Sequence, residues 1–104
     1  MSIDLETDIM NIVVDSGSCR SYSMEAIAYA KEKKFKEADT ALENANNEIN
    51  KAHKKQTELI QNEINGDKID INLIMVHAQD HLMTALLARD LAKEIVELYK
   101  KIEN

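Results

Sequence analysis

The stretch from Leu73 to Leu87 contains no glycine or proline and is apolar on nearly every side of a helical wheel. A helix in a small bundle keeps one wet face, so a helix without one must be covered by more than its own chain can offer. The segment therefore predicts a helix that packs on its own bundle with one side and on other copies of the chain with another. Four polar residues interrupt it on a single face: at about 100° per residue, His77, Asp80, His81 and Thr84 fall together, while Gln79 points away. Two imidazoles and a carboxylate among Leu, Met and Ile lose hydration that they must recover from partners, a metal or a chemical role. A polar seam that fixes helix register and a functional cluster both satisfy that requirement.

The rest of the chain supplies helices for this segment to pack against. Proline is absent, glycine occurs twice and aromatics are scarce, which favours helices over turn-rich sheets. A first helix is expected from about Ser2 or Asp4, carrying Leu5, Ile9, Ile12 and Val13 and then, past Gly17, Met24, Ile27 and Ala28. The run Asp15-Ser16-Gly17-Ser18-Cys19-Arg20-Ser21 predicts a kink or short break near Gly17, because Gly and Ser are weak helix formers. It does not read as a phosphate loop: no strand precedes it, no Gly-Lys-Ser/Thr ends it, and Cys19 and Arg20 are adjacent.

After Lys31-Glu32-Lys33-Lys34, a heptad-like seam of Ala38, Leu42, Ala45, Ile49, Ala52, Gln56 and Leu59 predicts a second helix. Gln56 sits on that seam, either hydrogen-bonded in the core or facing the histidines, whereas His53 lies about 60° outside it and reads as surface. Gly66-Asp67-Lys68-Ile69 is the clearest turn, with Asp70 or Asn72 placed to cap a third helix that runs to about Ile102. Its second half sets Leu91, Ile95, Val96, Leu98, Tyr99 and Ile102 against Arg89, Asp90, Lys93, Glu94, Glu97 and Lys100 as an amphipathic pattern. These 104 residues suit one all-α domain, an antiparallel three-helix bundle spanning residues 1–104.

A net charge of −6 argues against the nucleic-acid backbone as main partner, since that binding needs Lys and Arg to neutralise phosphates. The acidic start lacks the basic head and apolar core of a signal peptide, and no apolar run reaches membrane-spanning length. The expectation is a cytoplasmic protein without membrane insertion. The single cysteine, Cys19, cannot form an internal disulfide, in agreement with a reducing compartment.

His77 and His81 are four residues apart, hence neighbours one turn away. Two imidazoles at that spacing are half a zinc site, but Ala78 stands where a metalloprotease needs Glu, and no dedicated fourth ligand joins Asp80. A non-catalytic helical assembly protein binding a transition metal through His77 and His81 is the alternative this leaves open. The other use is nucleophilic: one neutral imidazole accepts a phosphoryl group on a ring nitrogen, and the second donates a hydrogen bond to the phosphoryl oxygens.

The sequence His77-Ala78-Gln79-Asp80-His81-Leu82-Met83-Thr84, followed by Leu86-Leu87 and closed by Glu97-Leu98-Tyr99-Lys100, resembles the signature of the lactose/cellobiose-type enzyme IIA of the phosphoenolpyruvate-dependent sugar phosphotransferase system. Ala52-His53-Lys54-Lys55-Gln56-Thr57 and the helix lengths are similar to that family too, over essentially the whole chain. The resemblance implies a homotrimer in which His77 takes a phosphoryl group from phospho-HPr and passes it to a cysteine of enzyme IIB. The sugar itself is phosphorylated further along, during uptake through enzyme IIC. The resemblance also implies that Asp80 stands at the trimer axis, where three copies hold a metal ion. Three converging carboxylates repel one another, and Mg²⁺ or a similar hard cation relieves that cost. Gln79 lies roughly 200° from His77, too far round to serve its own histidine, so it either reaches the site of a neighbouring subunit or is a satisfied amide in the interface.

Overall fold

Each of the three periodic stretches becomes one long helix. The computed structural model describes residues 3–103, and within them α1 spans Ile3–Lys31, α2 Phe35–Ile64 and α3 Leu73–Glu103. They lie side by side in a rod of 54 × 20 × 19 Å. Asp8 pairs with Lys55 across α1 and α2, and Asp39 pairs with Lys100 across α2 and α3, so each helix runs against the one before it. α1 packs broadly on both partners, whereas α2 and α3 touch each other much less. No helix among the described residues is long and apolar enough to cross a membrane.

The two connections differ in how they reverse the chain. Between α1 and α2 the turn is tight: the Lys34 N–H donates to the Tyr29 carbonyl at 2.9 Å, and Lys33 adopts a left-handed φ of 64° that glycine usually supplies. At the end of α2 a glycine does the same work, Gly66 at φ 104°, and the Asp67 N–H closes on Asn62 O at 2.9 Å. Of the two residues expected to cap α3, Asn72 does so. Its Oδ1 accepts from the Met75 N–H at 3.0 Å, satisfying one donor that the first turn leaves free. Ser2, one of the expected starts of α1, lies outside the described residues.

The core has two parts. Near the Asn72 end, Ile9, Ile12, Cys19, Ile49, Leu59, Met75 and Leu82 interlock with alanines. Toward the other end the core is Ala26, Ala30, Ala38, Ala41 and Val96, flanked by Tyr29, Phe35 and Tyr99. Small side chains there let the helix axes come close, and the partly buried aromatics fill the margins.

Three expectations are corrected. α1 passes through Gly17 without a break. Past Gly17 the buried residues are Cys19, Ser23, Ala26 and Ala30, while Met24 is 58% exposed and Ala28 also faces out. The reason is local: the Ser23 hydroxyl donates to the Cys19 carbonyl at 2.8 Å, so a residue that reads as polar is internally satisfied and small enough for close packing. On α2, Ala41 is buried and Leu42 only half-buried, again because the closest contact selects the smaller side chain.

Gly17 itself has no structural reason inside the chain. Its φ is not left-handed, and a Cβ built on it meets nothing within 4 Å. Glycine in a helix interior still costs about 0.5–1 kcal/mol relative to alanine.

Candidate functional site

Register on α3 is set by Ala78, Leu82 and Ala85, all buried at 1% exposure or less against α1 and α2. Their burial leaves His77 exposed and His81 half-buried on the edge of the same helix. The two rings meet edge-to-face, centroids 4.3 Å apart and planes at 78°. Nε2 of His81 and Nε2 of His77 are 3.0 Å apart, a hydrogen bond in which one ring donates and the other accepts. The pair expected from the four-residue spacing is therefore formed, with one nitrogen of each ring already committed to the other.

The other polar residues of the segment are placed differently. Thr84 turns its hydroxyl back onto the helix, donating to Asp80 O at 2.9 Å and sharing with His81 O at 3.2 Å. Asp80 is exposed in the middle of an apolar stripe of Leu73, Val76, Met83, Leu87, Leu91 and Leu98, each more than half exposed. Gln79 is half-buried toward α2, where its Oε1 accepts a hydrogen bond from Gln56 Nε2. Gln56 thus makes its bond between helices and not to the histidines, and His53 is exposed as expected. Beside the Gln pair, Leu59, Ile60, Ile69, Ile71, Met75 and Val76 line an open apolar groove of about 300 Å³.

Arg89 is a rim feature that the amphipathic pattern concealed. Its guanidinium bridges Asn46 of α2 at 3.3 Å and Asp90 at 2.9 Å. Nothing short of knowing the α2–α3 register pairs Asn46 with Arg89. Cys19, set into the core with Sγ 3.8 Å from Ala85 O, has its thiol pushed above the usual range, first by burial.

As to metals, no group of three or more His, Cys, Asp or Glu is gathered for an ion among the described residues of one chain. Among the described residues the transition-metal alternative thus lacks a third ligand. Asp80 contributes one exposed carboxylate, so an oxygen-ligated ion there fits only where several copies bring that carboxylate together.

The described residues thus form a rod of three helices with paired imidazoles near one end, and comparison with known proteins says what such a rod belongs to. Residues 7–100 match the family described as PTS system, Lactose/Cellobiose specific IIA subunit. The chain is similar to the lichenan-specific phosphotransferase enzyme IIA component of Bacillus subtilis, 51% identical over 98% of this chain and 93% of that one. Among solved structures, the cellobiose-specific enzyme IIA from Bacillus anthracis superimposes with a TM-score of 0.94 at 46% identity, covering 99% of this chain and 94% of that one. The chitobiose IIA of Escherichia coli, solved in complex with HPr, gives 0.85 at 36% identity over 99% and 100% of the two chains. The chain belongs to the lactose/cellobiose-specific IIA family of the phosphotransferase system.

Proposed function

We propose that this chain is the phosphocarrier between HPr and enzyme IIB in an uptake relay for a sugar of the lactose, cellobiose and chitobiose class. The Nε2 lone pair of His77 attacks the phosphorus of phospho-HPr. The N–P bond to the donor imidazole breaks as the new N–P bond forms, and that imidazole leaves with the electron pair. In the second half-reaction a thiolate of enzyme IIB attacks the phosphorus and His77 leaves in turn. No step oxidises or reduces anything, and the sugar never touches this chain.

The observation that carries the reading is the 3.0 Å contact between the two Nε2 atoms. A ring N–H of His81 aimed at the reacting nitrogen of His77 is also within reach of the oxygens of a phosphoryl group placed there, where charge makes the bond strong. His77 carries the phosphoryl group and His81 steadies it.

The protein works as a cytoplasmic homotrimer in this reading. The exposed apolar stripe of α3 supports it, because a stripe that long needs cover, and three copies give it. Asp80 then faces the axis, where Mg²⁺ or a similar divalent cation would be held by the three carboxylates and would offset their repulsion. Gln79, turned away from its own histidines, accepts from Gln56 through its Oε1, so it is either a satisfied amide or, through its own amide N–H groups, a further donor in the site of a neighbouring subunit.

Intact mass before and after incubation with phosphoenolpyruvate, enzyme I and HPr tests the assignment. The wild type gains one acid-labile phosphoryl group and His77→Gln gains none. A His77→Gln protein that becomes phosphorylated overturns it.

A further inference from the structure

We propose that Gly17 keeps the edge of α1 beside the histidine pair bare so that the protein delivering the phosphoryl group can seat against the α1 backbone; the inference rests on His77 being the acceptor. The starting point is a glycine in the middle of a long helix with neither a left-handed φ nor any atom that a Cβ would strike. Helix interiors select against glycine, so one kept there without an internal reason points to a contact outside the chain.

Its position says which contact. The Cys19 Sγ meets the Ala85 carbonyl, a separation of 66 residues between α1 and α3. Nearer the Asn72 end, Ile9 and Met10 line one hollow with Asn72 and Ile74, so the two helices run side by side in the same direction. That register puts Gly17 level with the turn of α3 from His81 to Thr84. At helical spacing Ile74, His77 and His81 share one edge of α3, and Met10, Gly17 and Met24 share one edge of α1. Met10, Val14 and Met24 are 45%, 58% and 58% exposed, while Gly17 is half-buried between them.

The occupant follows from the chemistry. Transfer requires the donor's phosphorus to come within about 3–3.5 Å of His77 Nε2. Neighbouring helix axes are only about 8–10 Å apart, so a protein bringing a phosphohistidine to that distance must also cover the adjoining edge of α1. The exposed methionines and valine give an adaptable apolar rim for that surface, and the gap at Gly17 sets how deep it sits. A small phosphodonor needs no such seat.

The test compares Gly17→Ala and Gly17→Leu with wild type in the full chain, using phospho-HPr and, separately, phosphoramidate as donors. A Cβ at position 17 meets nothing within 4 Å, and Ala is expected to raise the unfolding midpoint. With phospho-HPr, Gly17→Leu is expected to lower kcat/KM by roughly a hundredfold, the scale of a misplacement of about 1 Å, and Gly17→Ala by less. Labelling of His77 by phosphoramidate, and the oligomeric mass, stay at wild-type values. Transfer from phospho-HPr at the wild-type rate in Gly17→Leu overturns the inference, as does a changed oligomeric mass, which would assign Gly17 to a contact between copies. A wild type that takes no phosphoryl group on His77 from either donor overturns the reading of the site and this inference with it.

Discussion

The two long sides of α3 both carry large apolar residues and meet opposite fates. Facing α1 and α2, Ala78, Leu82, Ala85, Ala92 and Val96 are sealed, none more than 1% exposed. Facing away, Val76, Met83, Leu87, Leu91 and Leu98 are between 53% and 59% exposed. The inner side alternates alanine with larger residues and so fits a close neighbour; the outer side is all large and fits a partner at coiled-coil distance. Burial against the chain's own helices fixes where the histidines stand, and those helices leave the outer side uncovered. His77 and His81 lie at the border between the two.

This contrast can be broken most strongly from inside. Leu82→Ala empties a fully buried position one residue from His81 and should cost about 2–5 kcal/mol, read as a lower denaturation midpoint by circular dichroism. On the outer side, Leu87→Glu should leave helicity intact and split the assembly into monomers, measured by sedimentation. An outer substitution that unfolds the chain, or an inner one that only dissociates it, would erase the distinction between the sides. Asp80→Asn removes one charge per chain from the middle of the outer stripe. In EDTA it should make the assembly more heat-resistant than wild type, and it should abolish any gain in midpoint on adding Mg²⁺.

The smallest effect lies away from α3. The Asp15 carboxyl is raised above its ordinary value of 3.8, first by burial and then by Glu48, with Lys51 opposing. The folded state therefore holds this proton more tightly than the unfolded chain. The stability that this tighter hold contributes is complete below the ordinary value and is lost as pH rises through the folded one. Asp15→Asn should raise the thermal midpoint at neutral pH, by an amount that vanishes in acid below that ordinary value. Loss of stability at neutral pH in the variant would contradict the burial cause.

Much of the fold was legible because its punctuation is strong. Gly66 and Asn72 mark the second connection in residue type alone, and the histidine spacing places both rings on one edge. The first connection was marked only by a charge run, since Lys33 takes a left-handed conformation that sequence assigns to glycine. The inner face of α1 was misread because Ser16, Cys19 and Ser23 look polar, although close helix packing selects their size. On α3, periodicity could not separate inner from outer because leucines lie on both. The division depends on which side the other two helices occupy, and that is set by the connections.

The contact between His77 and His81 also fixes where the remaining ring protons stand. A neutral imidazole carries a single N–H. If His81 presents it on Nε2, its Nδ1 is bare; His77, whose Nε2 receives the bond, must then hold its own proton on Nδ1. With both rings neutral the contact pairs opposite tautomers, and exchanging donor and acceptor would require both protons to relocate together. Direction in this pair is thus a property of two protons.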